Sequence, residues 1–199
     1  MEVSDYIWHC TKSFDNLKSI LKNGFDLSLC TKSDGVDYLG IDQNIIPITR
    51  VCFTNIDPRY SARHQMYYGL YGIAFRNDWL NKNHICPVIY CRKEGLLTKE
   101  LKKIVADNMT IYKYCKQYSD YNSENRNPYY ENDKISARYY EEHEWRFVTD
   151  DNSGKLSFEV KDLASICVTS EDEKNELIRM NPQYKDIIEI RIGKDNHGQ

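Results

Sequence analysis

Residues 6–24, YIWHCTKSFDNLKSILKNG, read as a strand, a capped helix and a stop. Tyr6 to Cys10 is a short run of aromatic and β-branched character, the composition of a strand laid on a packed surface. Ser13 is placed to cap a helix, because its hydroxyl can accept one of the backbone N–H groups that a first turn leaves unbonded. Phe14, Leu17, Ile20 and Leu21 recur at three and four and share one face, and Gly24 supplies the residue that ends the helix. A helix with one apolar stripe needs a surface beneath it, and the strand just before it makes a sheet the first choice.

The rest of the chain extends this pattern. Residues 27–44 are rich in Asp, Ser, Thr and Gly and read as a loop, and IIPITRVCFTN (45–55) follows as a strand. A short helix fits between 56 and 69, and LYGIAF (70–75) and PVIYC (87–91) are strands on either side of a polar helical turn around Trp79. Leu97, Leu101, Ile104, Val105, Met109, Tyr112 and Cys115 keep a helical spacing, which predicts one long helix over 97–118 lying on the sheet. Residues 119–136 hold almost no aliphatic side chain and read as a mobile, polar, Tyr-rich connection or a substrate-facing loop. Strands at 144–149, 155–160 and 164–169, a helix at 171–180 and a closing strand at 187–192 complete the set. With no internal repeat and no linker between two cores, residues 1–199 read as a single α+β domain, a mixed or mostly antiparallel sheet flanked by helices.

Composition narrows the functional classes. With 41% apolar and 29% charged residues the chain is not a disordered one. Lys and Arg number 27 against 30 Asp and Glu, a net charge of −3, and the signs are interspersed, which disfavours an electrostatic grip on duplex DNA. No apolar run approaches the roughly 20 residues that span a bilayer, and the opening MEVSDYIWHC lacks a basic segment before a hydrophobic one, so a cytoplasmic protein without membrane contact is expected. Seven cysteines are scattered without paired ligand spacing, which fits reduced thiols in a reducing compartment and gives no metal site.

Three places could carry chemistry. His9 and Thr11 share one face at the end of the first strand, although a histidine beside a helix start is more often a satisfied structural residue. In the stretch YYEEHEWRFV (139–148), alternation puts Trp145 and Phe147 on one face and Glu142, Glu144 and Arg146 on the other; the aromatic face is expected to be buried, leaving a Glu–Glu–Arg ladder. That ladder is either the solvated face of an edge strand or a fixed carboxylate in a cleft. Gly69 and Gly72 flank Tyr71, which implies close approach of the backbone to a neighbouring strand or to a flat ligand, with packing the plainer choice.

The segments WHCTKSFDNLKSILKNGF (8–25), VCFTNIDPRYSARHQMYYGLYGIAFRNDWL (51–80) with PVIYC, and YYEEHEWRFV with LASICVTSEDEKNELI (163–178) resemble the AbiGi family of bacterial abortive-infection proteins. That resemblance implies a role in phage defence, and some members carry the label antitoxin. A deeper resemblance runs to ADP-ribosyltransferases of the DarT and poly-ADP-ribose polymerase kind, through the His-x-Thr strand end, the wording VCFTNIDPR and a glutamate on a late strand. It implies an ADP-ribosyltransferase-like fold and an NAD site. Glu144 and His9 would be catalytic there, and His9, Thr11, Tyr68, Tyr71, Arg50 and Arg146 would contact the cofactor. Where the polymerases have GIYF this chain has Ala74 in GIAF, so the aromatic that stacks on nicotinamide is unassigned. A carboxylate fixed near the ribose would suffice for the chemistry, because it stabilises the oxocarbenium-like charge that develops as nicotinamide leaves.

Three functional classes therefore compete. The first is an NAD-using transferase acting on a macromolecule. The second is a non-catalytic antitoxin or phage sensor of the same fold that binds a cognate toxin or a phage protein. The third is a binder of single-stranded nucleic acid that stacks bases on tyrosine, disfavoured by the missing basic groove. Eight of the sixteen tyrosines (112, 114, 118, 121, 129, 130, 139 and 140) lie in one stretch, which suits an interface as well as partial burial in the core.

Overall fold

The hydroxyl of Ser13 accepts the Asn16 N–H at 3.0 Å and opens helix α1, Phe14–Asn23, which ends at Gly24 with φ 74°. Strand β1, Val3–Thr11, precedes it, so the strand, cap and helix fall where residues 6–24 place them. Ser13→Ala is expected to lower stability by about 1 kcal/mol; urea unfolding should show a lower midpoint with an unchanged slope. The structure, a computed structural model, describes residues 3–29, 31–32, 48–57, 65, 68–92, 94–105, 108–118, 142–151 and 153–191. The predicted connection at 119–136 lies outside them, and so does most of the short helix expected before residue 69.

After α1 come β2 (Phe25–Asp26), β3 (Thr31–Lys32), β4 (Ile48–Ile56), β5 (Tyr71–Phe75), helix α2 (Asn77–Lys82), β6 (Cys86–Pro87) and β7 (Ile89–Cys91). Helices α3 (Leu96–Val105) and α4 (Met109–Lys113) lead to β8 (Cys115–Gln117), then β9 (Glu144–Thr149), β10 (Lys155–Leu156), β11 (Leu163–Val168), helix α5 (Glu171–Met180) and β12 (Ile188–Ile190). The main sheet runs β12-β11-β5-β1-β4-β9-β6, with β3 beside β4. Its pairs are antiparallel except β11 with β12, the pair joined through a helix, as parallel neighbours require. The fold is a mixed α+β domain with a mostly antiparallel sheet.

One face of the sheet carries the principal core. Ile7, Val51, Phe53, Ile73, Phe75, Ile166 and Val168 meet Leu17 and Leu21 of α1, Trp79 and Leu80 of α2, and Leu177 of α5. The ring of Phe75 stacks on Trp79 at 4.2 Å, Phe53 and Phe158 close around the pair edge-on, and Phe25 meets Phe75 at a tilt. Among the described residues no helix is long and apolar enough to cross a membrane.

Two expectations need correction. The long helix over 97–118 is two helices and a strand, because Asn108 takes the cap position of α4, where its side chain accepts the Thr110 N–H at 3.2 Å. Asn offers the backbone an alternative partner and so starts a new helix where periodicity alone suggests continuation. These helices join β7 to β8 as the crossover of a parallel pair, with a small core of their own made by Ile48, Cys91, Leu101, Val105, Tyr112 and Cys115. The strand expected at 155–160 reduces to β10, which pairs with β2; a 3-10 turn at Val160–Asp162, capped reciprocally by Glu159 and Asp162, takes up the following residues.

Candidate functional site

Strands β4 and β9 pair without interruption from Thr49 opposite Thr149 to Thr54 opposite Glu144. Alternation then sorts the side chains. Val51, Phe53, Trp145 and Phe147 face the principal core, while Arg50, Cys52, Thr54, Glu144, Arg146 and Val148 share the other face. The two faces are as the sequence implies, but the charged one is the more deeply covered. Glu144 is 6% exposed and Arg146 2%, whereas Trp145 and Phe147 are half-buried. Of the two readings of the ladder, the solvated face of an edge strand fails for two reasons. Strand β9 is not an edge, since β6 pairs along it, and the α4–β8 turn lies over its charged face, where Arg146 is bonded to it.

The buried charges are closely matched. Arg146 Nε donates to Glu144 Oε1 at 2.6 Å, and its Nη1 donates to the carbonyls of Lys113 at 2.8 Å and Cys115 at 3.2 Å. Lys116 Nζ donates to Glu144 Oε2 at 2.5 Å and also pairs with Glu142. The Glu144 N–H donates to the Tyr90 hydroxyl at 2.9 Å. His143 adopts φ 44°, a left-handed turn between the two glutamates, and its ring Nδ1 lies 3.2 Å from Asn55 Oδ1. Burial pushes the Glu144 carboxyl up, but the Lys116 and Arg146 cations outweigh it and hold the group well below the usual carboxylate range. Burial likewise opposes the charge on Lys116, yet the carboxylates of Glu144 and Glu142 raise it above the usual lysine value. The Tyr90 hydroxyl is pushed up to about 12, chiefly by burial.

The remaining predicted site residues fall elsewhere. His9 points into the principal core, with its ring edge-on to Phe25 at 4.8 Å and its Nδ1 3.0 Å from the backbone carbonyl oxygen of Cys52. Thr11 is opposite Tyr71 on the same face as His9, and the Tyr71 hydroxyl donates to Glu173 at 2.8 Å. Tyr68 is half-buried in the helical turn before β5. Thus Arg50, Arg146 and Glu144 lie on one face of the sheet and His9, Thr11 and Tyr71 on the other. A ribose held by His9 and Glu144 together would have to touch both faces of one sheet, so the residues assigned to NAD do not form one site. Lys116 and Tyr90, which complete the charge cluster, were not singled out in the sequence. The cap at Asn108 is the one signal that frees residues 115–117 to be a strand.

Each oxygen of Glu144 already holds a charge-assisted hydrogen bond, so the cluster acts as a clamp tying β9 to β8. The match of a family model, described as "Putative abortive phage resistance protein AbiGi, antitoxin", extends over residues 36–191. The chain belongs to the AbiGi family. A curated relative, an abortive phage resistance protein AbiGi from Lactococcus lactis subsp. cremoris, is 25% identical over 155 residues, covering 63% of this chain and 62% of that protein. The chain therefore spans about three-fifths of the length of that relative. No solved structure matches it. The AbiGi match takes in the Glu144, Arg146 and Lys116 clamp but begins after β1, so His9 and Thr11 lie outside it.

Proposed function

We propose that this AbiGi chain serves phage resistance as an antitoxin, a non-catalytic binder of a toxin protein, and does not turn over NAD. The observation that carries this reading is the state of Glu144: a carboxylate buried between Arg146 and Lys116 spends its charge on two protein cations. A group that stabilises an oxocarbenium needs that charge directed at the sugar. The family description, which names an antitoxin, supports the same reading, and the placement of His9 on the far face of the sheet removes its partner in the transferase scheme.

The test has two arms. Purified protein incubated with NAD should release nicotinamide no faster than a blank. Expressed beside its toxin, the chain should restore growth, and a His9→Ala chain that still folds should restore it equally. Nicotinamide release above the blank that disappears in a folded Glu144→Gln protein would overturn the proposal in favour of ADP-ribosyl transfer.

A further inference from the structure

Arg191 follows β12 at the far end of the sheet from the Glu144 clamp. Its N–H donates to the Val168 carbonyl at 2.6 Å, which continues the parallel ladder, and it lies on the face that carries Cys167 and Glu189. The residue is only 5% exposed. Its Nη1 donates to the Leu70 carbonyl at 3.1 Å, just before β5. The Nε and Nη2 atoms are buried and have no hydrogen-bond partner among the described residues. The thiol of Cys10, pushed up to about 12 chiefly by burial, feels the charge of the Arg191 guanidinium, the Cys167 thiol and the carboxylate of Asp57. No ion pair to Arg191 is formed among the described residues.

Two physical facts make this arrangement informative. An arginine in a protein does not give up its proton, so burial cannot neutralise it as it can a lysine or a carboxyl. A buried charge without a counter-charge is among the most costly features a fold can hold. The vacant atoms are also a particular pair. Nε and Nη2 form the side edge of the guanidinium, whose two parallel N–H bonds match the two oxygens of a carboxylate or phosphate. The Leu70 carbonyl occupies Nη1 and so fixes the plane of the fork, leaving that edge intact.

We propose that Arg191 is the receptor of an oxyanion site, taking two oxygens of a phosphate or carboxylate group on its Nε and Nη2 edge at the end of the sheet formed by β1, β5, β11 and β12. The site is separate from the clamp at Glu144, and its ligand neutralises a guanidinium that no described residue pairs with.

The experiment is a set of thermal melts of the full chain in sodium phosphate, sodium acetate and a nucleoside monophosphate, each against sodium chloride at equal ionic strength, with sodium fluoride as the control for general salting-out. The wild-type melting temperature should rise saturably with at least one oxyanion and not with fluoride, as a ligand that binds only the folded state requires. Response to acetate alone identifies a carboxylate, response to phosphate a phosphate group, and a lower midpoint for the nucleotide places the phosphate on a nucleotide. Arg191→Met should abolish the rise while melting no lower than wild type in chloride. Arg191→Lys keeps the charge but not the fork and should weaken the oxyanion response about tenfold, the loss of one charge-assisted hydrogen bond. An equal rise in wild type and Arg191→Met, or no saturable rise with any of the three anions, overturns the proposal. If Arg191→Met does not fold, an undiminished response in Arg191→Lys does so too.

Discussion

Glu144→Gln is expected to destabilise the protein by about 3–5 kcal/mol, the range found when one member of a buried ion pair is removed. The amide keeps the shape of the side chain but leaves Arg146, 2% exposed, and Lys116 facing each other without their common carboxylate. Glu142→Gln is the comparison. Its carboxylate is half-buried and shares only Lys116, so about 1 kcal/mol is expected, close to the upper end for a partly exposed pair. Urea unfolding of both variants at neutral pH measures the difference, and equal small losses would show that the clamp does not hold β9 to β8. The pH dependence has a definite sign. The Glu144 carboxyl titrates lower in the folded chain than in the unfolded one, where it takes the ordinary value of about 4.3. Below about pH 5 the unfolded chain therefore binds more protons, and the contribution of Glu144, complete above that point, is lost as the pH falls further. Wild-type stability should drop more steeply on acidification than that of Glu144→Gln. Lys116, raised in the folded chain, contributes fully below about pH 10 and loses its contribution above it.

What the sequence made legible follows the range of the interactions involved. The cap at Ser13, the stop at Gly24 and helix α5 behind Ser170 are set by residues within one turn of each other, and all three are where the sequence puts them. The alternation along β9 was also readable, since it depends only on the pleat. Which face meets water was not, because the layer over Glu144 and Arg146 is built from Lys113, Cys115 and Lys116, about thirty positions earlier in the chain. A Glu–Glu–Arg pattern is the same string whether solvent or a second layer covers it. The candidate site failed for a related reason. His9 and Glu144 do lie on near-neighbour strands, separated by β4, but Trp8 and not His9 is the β1 residue that shares the Glu144 face, through Thr54. One position in β1 decides between one cleft and two unrelated environments, and a resemblance made of short motifs does not fix that position.

The two glycines around Tyr71 give the last and most local test. The sequence implied close backbone approach at both without saying to what, and the structure separates them. At Gly69, φ is +99°, and an added Cβ would lie 2.1 Å from the Thr11 carbonyl oxygen and 2.5 Å from the Lys12 Cα, both backbone atoms where β1 turns into α1. At Gly72 the nearest atom would be Trp8 Cε3 at 3.2 Å, the edge of an indole that can shift by a few tenths of an ångström. Gly69→Ala therefore combines a backbone conformation that costs roughly 1–3 kcal/mol for an L-residue with a clash that backbone alone can relieve, and a total of about 3 kcal/mol or more is expected. Gly72→Ala meets only a movable ring and should cost about 1 kcal/mol. Thermal melts of the two variants decide it, and comparable losses would mean that the turn before β5 is free to re-form away from β1. The expected damage also spreads in one direction. Gly69 precedes Leu70, whose carbonyl holds Arg191 Nη1, so the Gly69→Ala chain should lose its oxyanion response along with its stability, while Gly72→Ala keeps it.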